Sequence, residues 1–592
     1  MRYEVRENEA SKWGTISNSH GFLQRHMDTG FKTKWAGYWA PPVKFLDYFA
    51  FQVNGQWLDS SSLRASEYGD EIIHHHETES LSIEERVKVP EGFPGFKLVL
   101  DVENPNEDPK AVHLNLEPGI DIRERTDDVP EEDHDLKIDN ERIIAKRNGR
   151  KLIISGEFDE IEDDPQVKEH FPGGEKQECL LPGKACFRKE IQPGEKVSVE
   201  VDFKTSEASF EEVEETSAKL KNSELSRCFN YSIESMENLV YGHQKGGIIA
   251  GHPWFQNYWA RDSFWSVLGL VDAGMFETAE KILENFASRK GFPNKIHSGD
   301  GRSEKGGADS APLFIIAGDK LDRHYGASDL IKEKMEEAME TLELEEGIVQ
   351  HNPEGTWMDT RERSPAVDIQ SLWLEAARIM ESDRKPELES GLRDFERDGR
   401  VLDTTDAESP RTVNFSVPLM FGQFKDEYAH DYLEVLNGEF ASRYGARTMS
   451  MVDPGYDPSG YHTGSSWGLT TCWSAMANLE YGNHQQGLNM LEKMKQFLDR
   501  NQLGALPEVV NSETGELMGC GEQAWSAALL VHAVDSHVLG IDVKQEHVEI
   551  DPVPGVEMTR LNKRVGDETI DLRVENGEVE ILNSPEIEII KW

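Results

Sequence analysis

The hydrophobic period of this chain changes near residue 206 and again near residue 545, and that change limits what it can fold into. Up to about residue 205, apolar and polar residues alternate, as in FKLVLDVEN (96–104) and AVHLNLEPGIDI (111–122). A period of two is that of a half-buried strand. RIIAKRNGRKLIISGEF places Asn148-Gly149 between two β-prone runs, and CFRKEIQPGEKVSVEVDF does the same with Pro193-Gly194, so both predict hairpins. From 206 the spacing becomes helical. Phe264, Val267, Leu268 and Val271 mark one helix face, and Phe276, Ala279, Ile282, Leu283 and Phe286 mark another, with Ala273-Gly274 breaking the run. A second such pair breaks at Gly482. About a dozen helical segments fit six hairpins closing into a toroid. The tail returns to strands, with Asn576-Gly577 as a turn.

The expected architecture has four parts. Residues 1–205 form an antiparallel β-sandwich and 206–240 a linker helix. Residues 241–545 form an all-α (α/α)6 toroid and 546–592 a small C-terminal β-appendage.

The 592 residues carry a formal net charge of −48, spread along the whole chain. Such a surface repels phosphate, which excludes nucleic acid and an anionic membrane as partners. It suits a very salty cytoplasm, where self-repulsion is screened over a few ångströms. The five cysteines (Cys179, Cys186, Cys228, Cys472 and Cys520) show no disulfide framework or zinc spacing, which fits a reducing compartment. No leader-like apolar region or membrane-length apolar run is visible, so a soluble cytoplasmic protein is expected. His74-His75-His76 lies in a β-prone run, where neighbours face opposite sides, so no metal site is expected there. No cofactor is expected.

Four loop segments concentrate aromatic and charged residues: 251–265, 355–373, 453–468 and 504–530. In GHPWFQNYWARDSFW, Trp254, Trp259 and Trp265 surround Arg261 and Asp262. Aromatic faces pack on sugar C–H patches, and carboxylate and guanidinium groups match hydroxyls. The alternative is a helix N-terminus with an ion pair among buried tryptophans. Hydrolysis of a glycosidic bond needs two carboxyl groups, one of them kept protonated by apolar walls. Asp359 follows Trp357-Met358, and Glu508 lies between Leu506-Pro507 and Val509-Val510. Equally, Asp359 could cap the next helix and Glu508 could be a surface charge.

Taken together and in order, the motifs resemble the glucosidase domain of glycogen debranching enzymes, the amylo-α-1,6-glucosidases, and more distantly the glucoamylases. They are PWFQNYWARDSFW, GGADSAPLFIIAG, GTWMDTRERSPAVDIQSLW, SRYGARTMS with GYHTGSSWG, and LPEVV with GCGEQAWSAA. The resemblance implies an inverting exo-hydrolase acting on glucosyl ends of an α-glucan, with α-1,6 stubs favoured and α-1,4 ends a second possibility. It implies Asp359 as general acid and Glu508 as general base. It gives Arg261 and Asp262 to the terminal glucose, and Asp309, Asp368, Arg447 and His462 to the site lining, beside Trp254, Trp259, Trp357 and Trp467. The chain departs from the pattern at Ala260, where the family has Gly, and at Arg363-Ser364-Pro365 in place of a Thr-Pro-Arg triplet. A trehalase on the same toroid and a non-catalytic glucan-binding protein are the alternatives. If the acidic surface is an adaptation to salt, the thermal midpoint is expected to rise from dilute buffer to molar KCl, and an unchanged midpoint removes that reading.

Overall fold

The computed structural model describes residues 3–5, 11–124, 134–139, 141–170, 177–205, 214–406, 408–544 and 546–592. The chain forms two compact units. The first comprises residues 1–213 together with Tyr241–His243 and Asp499–Leu503. The second comprises Glu214–Val240, Gln244–Leu498 and Gly504–Trp592.

The first unit is built on two antiparallel sheets. One runs, among the described residues, from Tyr3–Val5 through Leu63–Tyr68, Glu71–Glu77, Ser82–Lys88, Gly95–Glu103, Lys196–Thr205 and Arg150–Gly156 to Arg142–Arg147 and Asp135–Ile138. The other centres on the long strand Lys110–Glu124, which pairs with Val43–Val53 on one side and Ala185–Ile191 on the other. Alternation does what the sequence predicts: Ile83, Glu85 and Val87 are buried while Ser82 is exposed. Phe49, Phe96 and Phe203 interlock in the core, the last two stacked 4.3 Å apart. His74 and His76 share a buried face with Glu85 and Ser62, whereas half-buried His75 points to the Glu67 side.

The two predicted turns differ in outcome. Arg147 pairs with Arg150 across Asn148-Gly149, both at positive φ, so this is a two-residue hairpin. The Pro193-Gly194 turn is not a hairpin. Ala185–Ile191 and Lys196–Thr205 lie in different sheets, so the turn carries the chain from one sheet to the other. Turn chemistry sets a reversal of direction, and the partner strand is chosen by the core.

In the second unit, twelve α-helices are described. They are α1 (Ser226–Leu239), α2 (Ala260–Asp272), α3 (Phe276–Ala287), α4 (Ser310–His324), α5 (Asp329–Glu340), α6 (Val367–Ile379), α7 (Lys385–Arg393), α8 (Ser416–Met420), α9 (Asp426–Val435), α10 (Gly468–Glu480), α11 (His484–Lys493) and α12 (Ala524–His532). The even-numbered helices α2, α4, α6, α8, α10 and α12 pack each on the next, and α12 packs back on α2. These inner helices are buried nearly all round, as a helix enclosed on every side must be. The outer α7 buries only Leu388, Gly391 and Leu392. Gly269 on α2 lies against the backbone of Ala528 on α12, where any Cβ would collide, so a glycine permits that close approach. Gly274 and Gly482 take positive φ at the predicted breaks.

The linker helix expected over 206–240 is shorter than that. Residues 206–213 lie outside the described residues. Lys219–Lys221 is a strand pairing with Met558–Val565, and helix begins only at Ser226. Leu220 is buried and its neighbours are exposed, so a sheet formed with residues from the far end of the chain overrides local helical composition. That sheet continues through the Asn576-Gly577 hairpin.

The C-terminal strands are tied to the ring by a buried charge cluster. The Asp272 carboxylate, at the end of α2, accepts from Lys563 at 2.8 Å, Lys320 at 2.9 Å and His532 Nδ1 at 2.7 Å. Arg560 spans from the Asp272 carbonyl to Asp535. Burial alone would raise the Asp272 pKa, but the two lysines and His532 hold it well below the ordinary carboxylate range. A depressed carboxylate contributes stability above its unfolded pKa of about 3.9 and loses it as pH falls toward the folded value. Asp272→Ala is expected to cost about 3–5 kcal/mol at neutral pH, because it strands buried lysines. Urea denaturation at pH 7 and below pH 4 measures this, and the difference between wild type and variant should shrink in acid.

Candidate active site

The segments that lead into α2, α6, α10 and α12 open on one hollow, with a volume of about 400 Å³. Its wall is made by Ala250, Phe255, Trp259, Arg261, Asp262, Trp357, Asp359, Tyr461, His462, Trp467, Glu508, Gln523 and Trp525. These residues span 250 to 525 in sequence and meet because each helix is entered through a loop at the same end of the ring. Tyr258–Trp259 leads into α2, and Ser466–Trp467 leads into α10. Val509–Val510 pairs with Ser466–Trp467, which brings Glu508 beside the α10 entrance.

Glu508 is buried. One carboxylate oxygen accepts from the Tyr461 hydroxyl, and the other accepts from the Cys520 N–H at 2.9 Å. A Cβ at Gly519 would collide with that carboxylate, so a larger residue there would displace Glu508 from this position. Burial pushes the Glu508 pKa up to about 7, against the lowering effect of the two donors. Asp359 faces the open hollow, with protein on its other sides. That partial desolvation raises its pKa above the ordinary value, Arg261 opposes the rise and Asp309 adds to it.

Arg261 lies in the first turn of α2 and is buried. Its guanidinium pairs with Asp309 at the start of α4 and reaches the Gly355 carbonyl. Although burial disfavours its charge, Asp309 holds that charge in place. Asp262 accepts from Gln523 Nε2 at 2.8 Å, and burial pushes its pKa to about 8. Asp262 is therefore mostly protonated at neutral pH, and it can donate as well as accept.

The aromatic wall is an edge-to-face cluster. Trp357 meets His462 at 5.2 Å, Trp467 at 5.4 Å and Trp473 at 5.5 Å. His462 stacks on Trp467 and bonds Thr360 through Nδ1 at 2.7 Å. Burial and nearby arginines lower its pKa to about 3, so it stays neutral. The Trp357 indole donates to Asn414, which itself donates to Asp403. Asp403 and Asp368 both bind the buried Arg363 guanidinium, at 2.6 and 2.5 Å.

Of the residues singled out in sequence, Asp359, Glu508, Trp259, Arg261, Asp262, Trp357, His462 and Trp467 line the hollow. Four do not. Asp309 stands behind Arg261, and Asp368 stands behind the Asp359 loop on Arg363. Arg447 turns to the Tyr456 hydroxyl and the Ala441 carbonyl. Trp254 is outside the lining. Tyr461, Gln523 and Trp525 also line the hollow, and each lies inside a quoted segment without standing out there, while Phe255 is one of the aromatics of the 251–265 stretch. Asp403, behind the wall, lies in no quoted motif.

Two family models match the chain. One described as amylo-alpha-1,6-glucosidase covers residues 231–408, and one described as mannosylglycerate hydrolase MGH1-like glycoside hydrolase domain covers 357–526. No curated protein matches. Among solved structures, a putative kojibiose phosphorylase from the human microbiome aligns with a TM-score of 0.65 at 7% identity, over 100% of this chain and 96% of its own. A bacterial glucoamylase complexed with acarbose aligns with a TM-score of 0.57 at 12% identity, over 91% of this chain and 96% of its own. A GH78 family rhamnosidase of Bacillus sp. GL1 gives 0.52 at 12% identity, over 86% and 54%. The shared fold is a large antiparallel β-sheet region with a glucoamylase-like helical domain.

Tyr461→Phe removes a hydrogen bond that favours the ionised form of Glu508. The Glu508 titration is expected to move to higher pH with the fold intact, as read in the carboxylate band of infrared difference spectra against Glu508→Gln. An unmoved titration overturns the coupling.

Proposed function

We propose that this chain, an enzyme acting on glycosides that resembles the amylo-α-1,6-glucosidases, is an inverting exo-α-glucosidase built on an (α/α)6 toroid and acting on α-glucan ends. The observation that carries the reading is the presence of Asp359 and Glu508 in one sugar-sized hollow walled by aromatic rings. Asp359, exposed to the hollow and raised in pKa, is the general acid and gives its proton to the glycosidic oxygen as that bond breaks. Glu508 is the general base and takes a proton from a water whose oxygen attacks the anomeric carbon from the opposite face. Inversion requires the carboxyl groups to stand about 6.5–9.5 Å apart, with water between. Trp259 and Phe255 give the sugar a platform, while Arg261 and Asp262 hold its hydroxyls. Branch stubs linked α-1,6 are the favoured substrate, and α-1,4 ends are the second.

Two other substrates follow from the comparisons. A small glycoside such as mannosylglycerate is one, because the MGH1-like model covers both Asp359 and Glu508. Phosphorolysis is the other, by likeness to the phosphorylase. Glu508 counts against it, because a buried carboxylate repels a phosphate anion where a base would activate water. Trehalose remains a further candidate, and a glucan-binding protein without turnover is the non-enzymatic reading. The −48 charge and five buried free cysteines support a salty, reducing cytoplasmic setting. No helix among the described residues is long and apolar enough to cross a membrane.

The test is product analysis in phosphate-free buffer on panose, maltose, trehalose, mannosylglycerate and a phosphorylase-limit glucan. Glucose release with the β-anomer formed first is expected, and α-glucose first overturns inversion. Asp359→Asn and Glu508→Gln are each expected to cut kcat by about 10²–10⁴. Since the base must be ionised, kcat/KM for the free enzyme should fall below pH about 7 as Glu508 takes up its proton. A flat acid limb through that range would remove Glu508 from the role.

A further inference from the structure

The ring has a second hollow at its other end, and the catalytic reading makes no use of it. Its empty volume is about 1340 Å³, more than three times that of the catalytic cavity at about 400 Å³. It is lined from the C-terminal parts of the inner helices, including Lys320 on α4, Arg378 on α6 and His532 on α12. The interior of a protein is ordinarily close-packed, with few voids. Here it is left open and lined by charge, which has a desolvation cost: burial raises the pKa of both Asp319 and Glu375.

The charges cancel locally. Arg323 binds Asp319 at 2.9 Å and Asp542 at 3.2 Å, and Arg378 binds Glu375 at 3.3 Å. Lys320 is held by Asp272 behind the wall. The two lining histidines are neutral, their pKa values lowered by burial, that of His537 to about 3. A cavity with paired charges has no call for an ionic ligand. A guanidinium beside a carboxylate instead offers donors and acceptors side by side, the pattern that adjacent hydroxyls match. Trp265, Met420 and Phe421 supply apolar surface for the C–H faces of the same ligand. The two hollows are separated by tryptophans: Trp473 packs against Trp265 on one side at 5.7 Å and Trp357 on the other at 5.5 Å.

We propose that this second hollow is a binding site for a neutral oligosaccharide, distinct from the cavity that holds Asp359 and Glu508. The inference does not depend on the roles assigned to those two carboxylates. It gives a glycoside-acting enzyme a second hold on a chain of sugars, at the far end of the ring.

The experiment is calorimetric titration of the full chain carrying Glu508→Gln with maltotriose, mannose and spermidine. Two classes of saccharide site are expected. In the same background, Glu375→Gln with Arg378→Gln removes an ion pair without leaving a lone charge. It should weaken one class at least tenfold and leave the other unchanged. Introduced into the otherwise wild-type chain, the same pair should leave the thermal midpoint and turnover of a small glycoside unchanged. Saccharide binding, in one class or two, that wholly survives the double substitution, no saccharide binding at all, or binding of spermidine in preference to the sugars overturns the proposal. Loss of turnover in Asp359→Asn or Glu508→Gln bears only on the catalytic reading. Turnover by the wild type with no saccharide class that the double substitution weakens removes the second site alone.

Discussion

Arg363 carries a full charge where water does not reach, and the end of the ring that holds Asp359 and Glu508 is organised around neutralising it. Its guanidinium is held between Asp368, in the first turn of α6, and Asp403, in the segment that leads toward α8. Asp403 also accepts from Thr412 and Asn414, and Asn414 fixes the Trp357 indole. One buried cation therefore sets the loop from which Asp359 projects. A lone buried charge would be strongly destabilising, so the loop cannot relax without a large loss. Arg261 and Asp309 repeat the device between α2 and α4. Asp272 repeats it at the opposite end.

The same environment separates the acids of the hollow into different states. Glu508 and Asp262 are both buried, and burial pushes both carboxyl groups up. Glu508 reaches about 7 against donors from Tyr461 and Cys520, and Asp262 about 8, where Arg261 opposes the rise and Glu508 adds to it. Asp359 keeps contact with solvent through the mouth. Groups of one chemical type thereby stand in different electrostatic environments within one hollow.

Much of the architecture was legible from period alone. The helix pairs broken at Gly274 and Gly482 lie where the apolar spacing places them, and the Asn148-Gly149 hairpin follows from its turn residues. Pairing partners were not legible. Pro193-Gly194 makes the same kind of turn, yet its flanking strands enter different sheets, because the choice of neighbour depends on distant residues. Lys219–Lys221 reads as helix and forms a strand because its partner, Met558–Val565, lies more than 300 residues on.

What the sequence by itself determined was the order of strand and helix, the acidic surface, and the segments whose aromatic and charged residues meet. It marked eight residues of the hollow, some because aromatic rings beside charges stand out locally, and others, His462 among them, only through the resemblance of their motifs to the amylo-α-1,6-glucosidases. Only the tertiary structure decided which of those residues face the hollow and which stand behind it. Asp368 and Asp309 have the same flavour in sequence as Asp359, but each is turned to a buried arginine. Tyr461 and Asp403 carried no local mark, because their importance lies in the partners they meet only in the fold, Glu508 for the Tyr461 hydroxyl and Arg363 for both Asp403 oxygens. Composition can announce that a charge exists, while the depth at which it is buried and the partner it meets are properties of the packed chain.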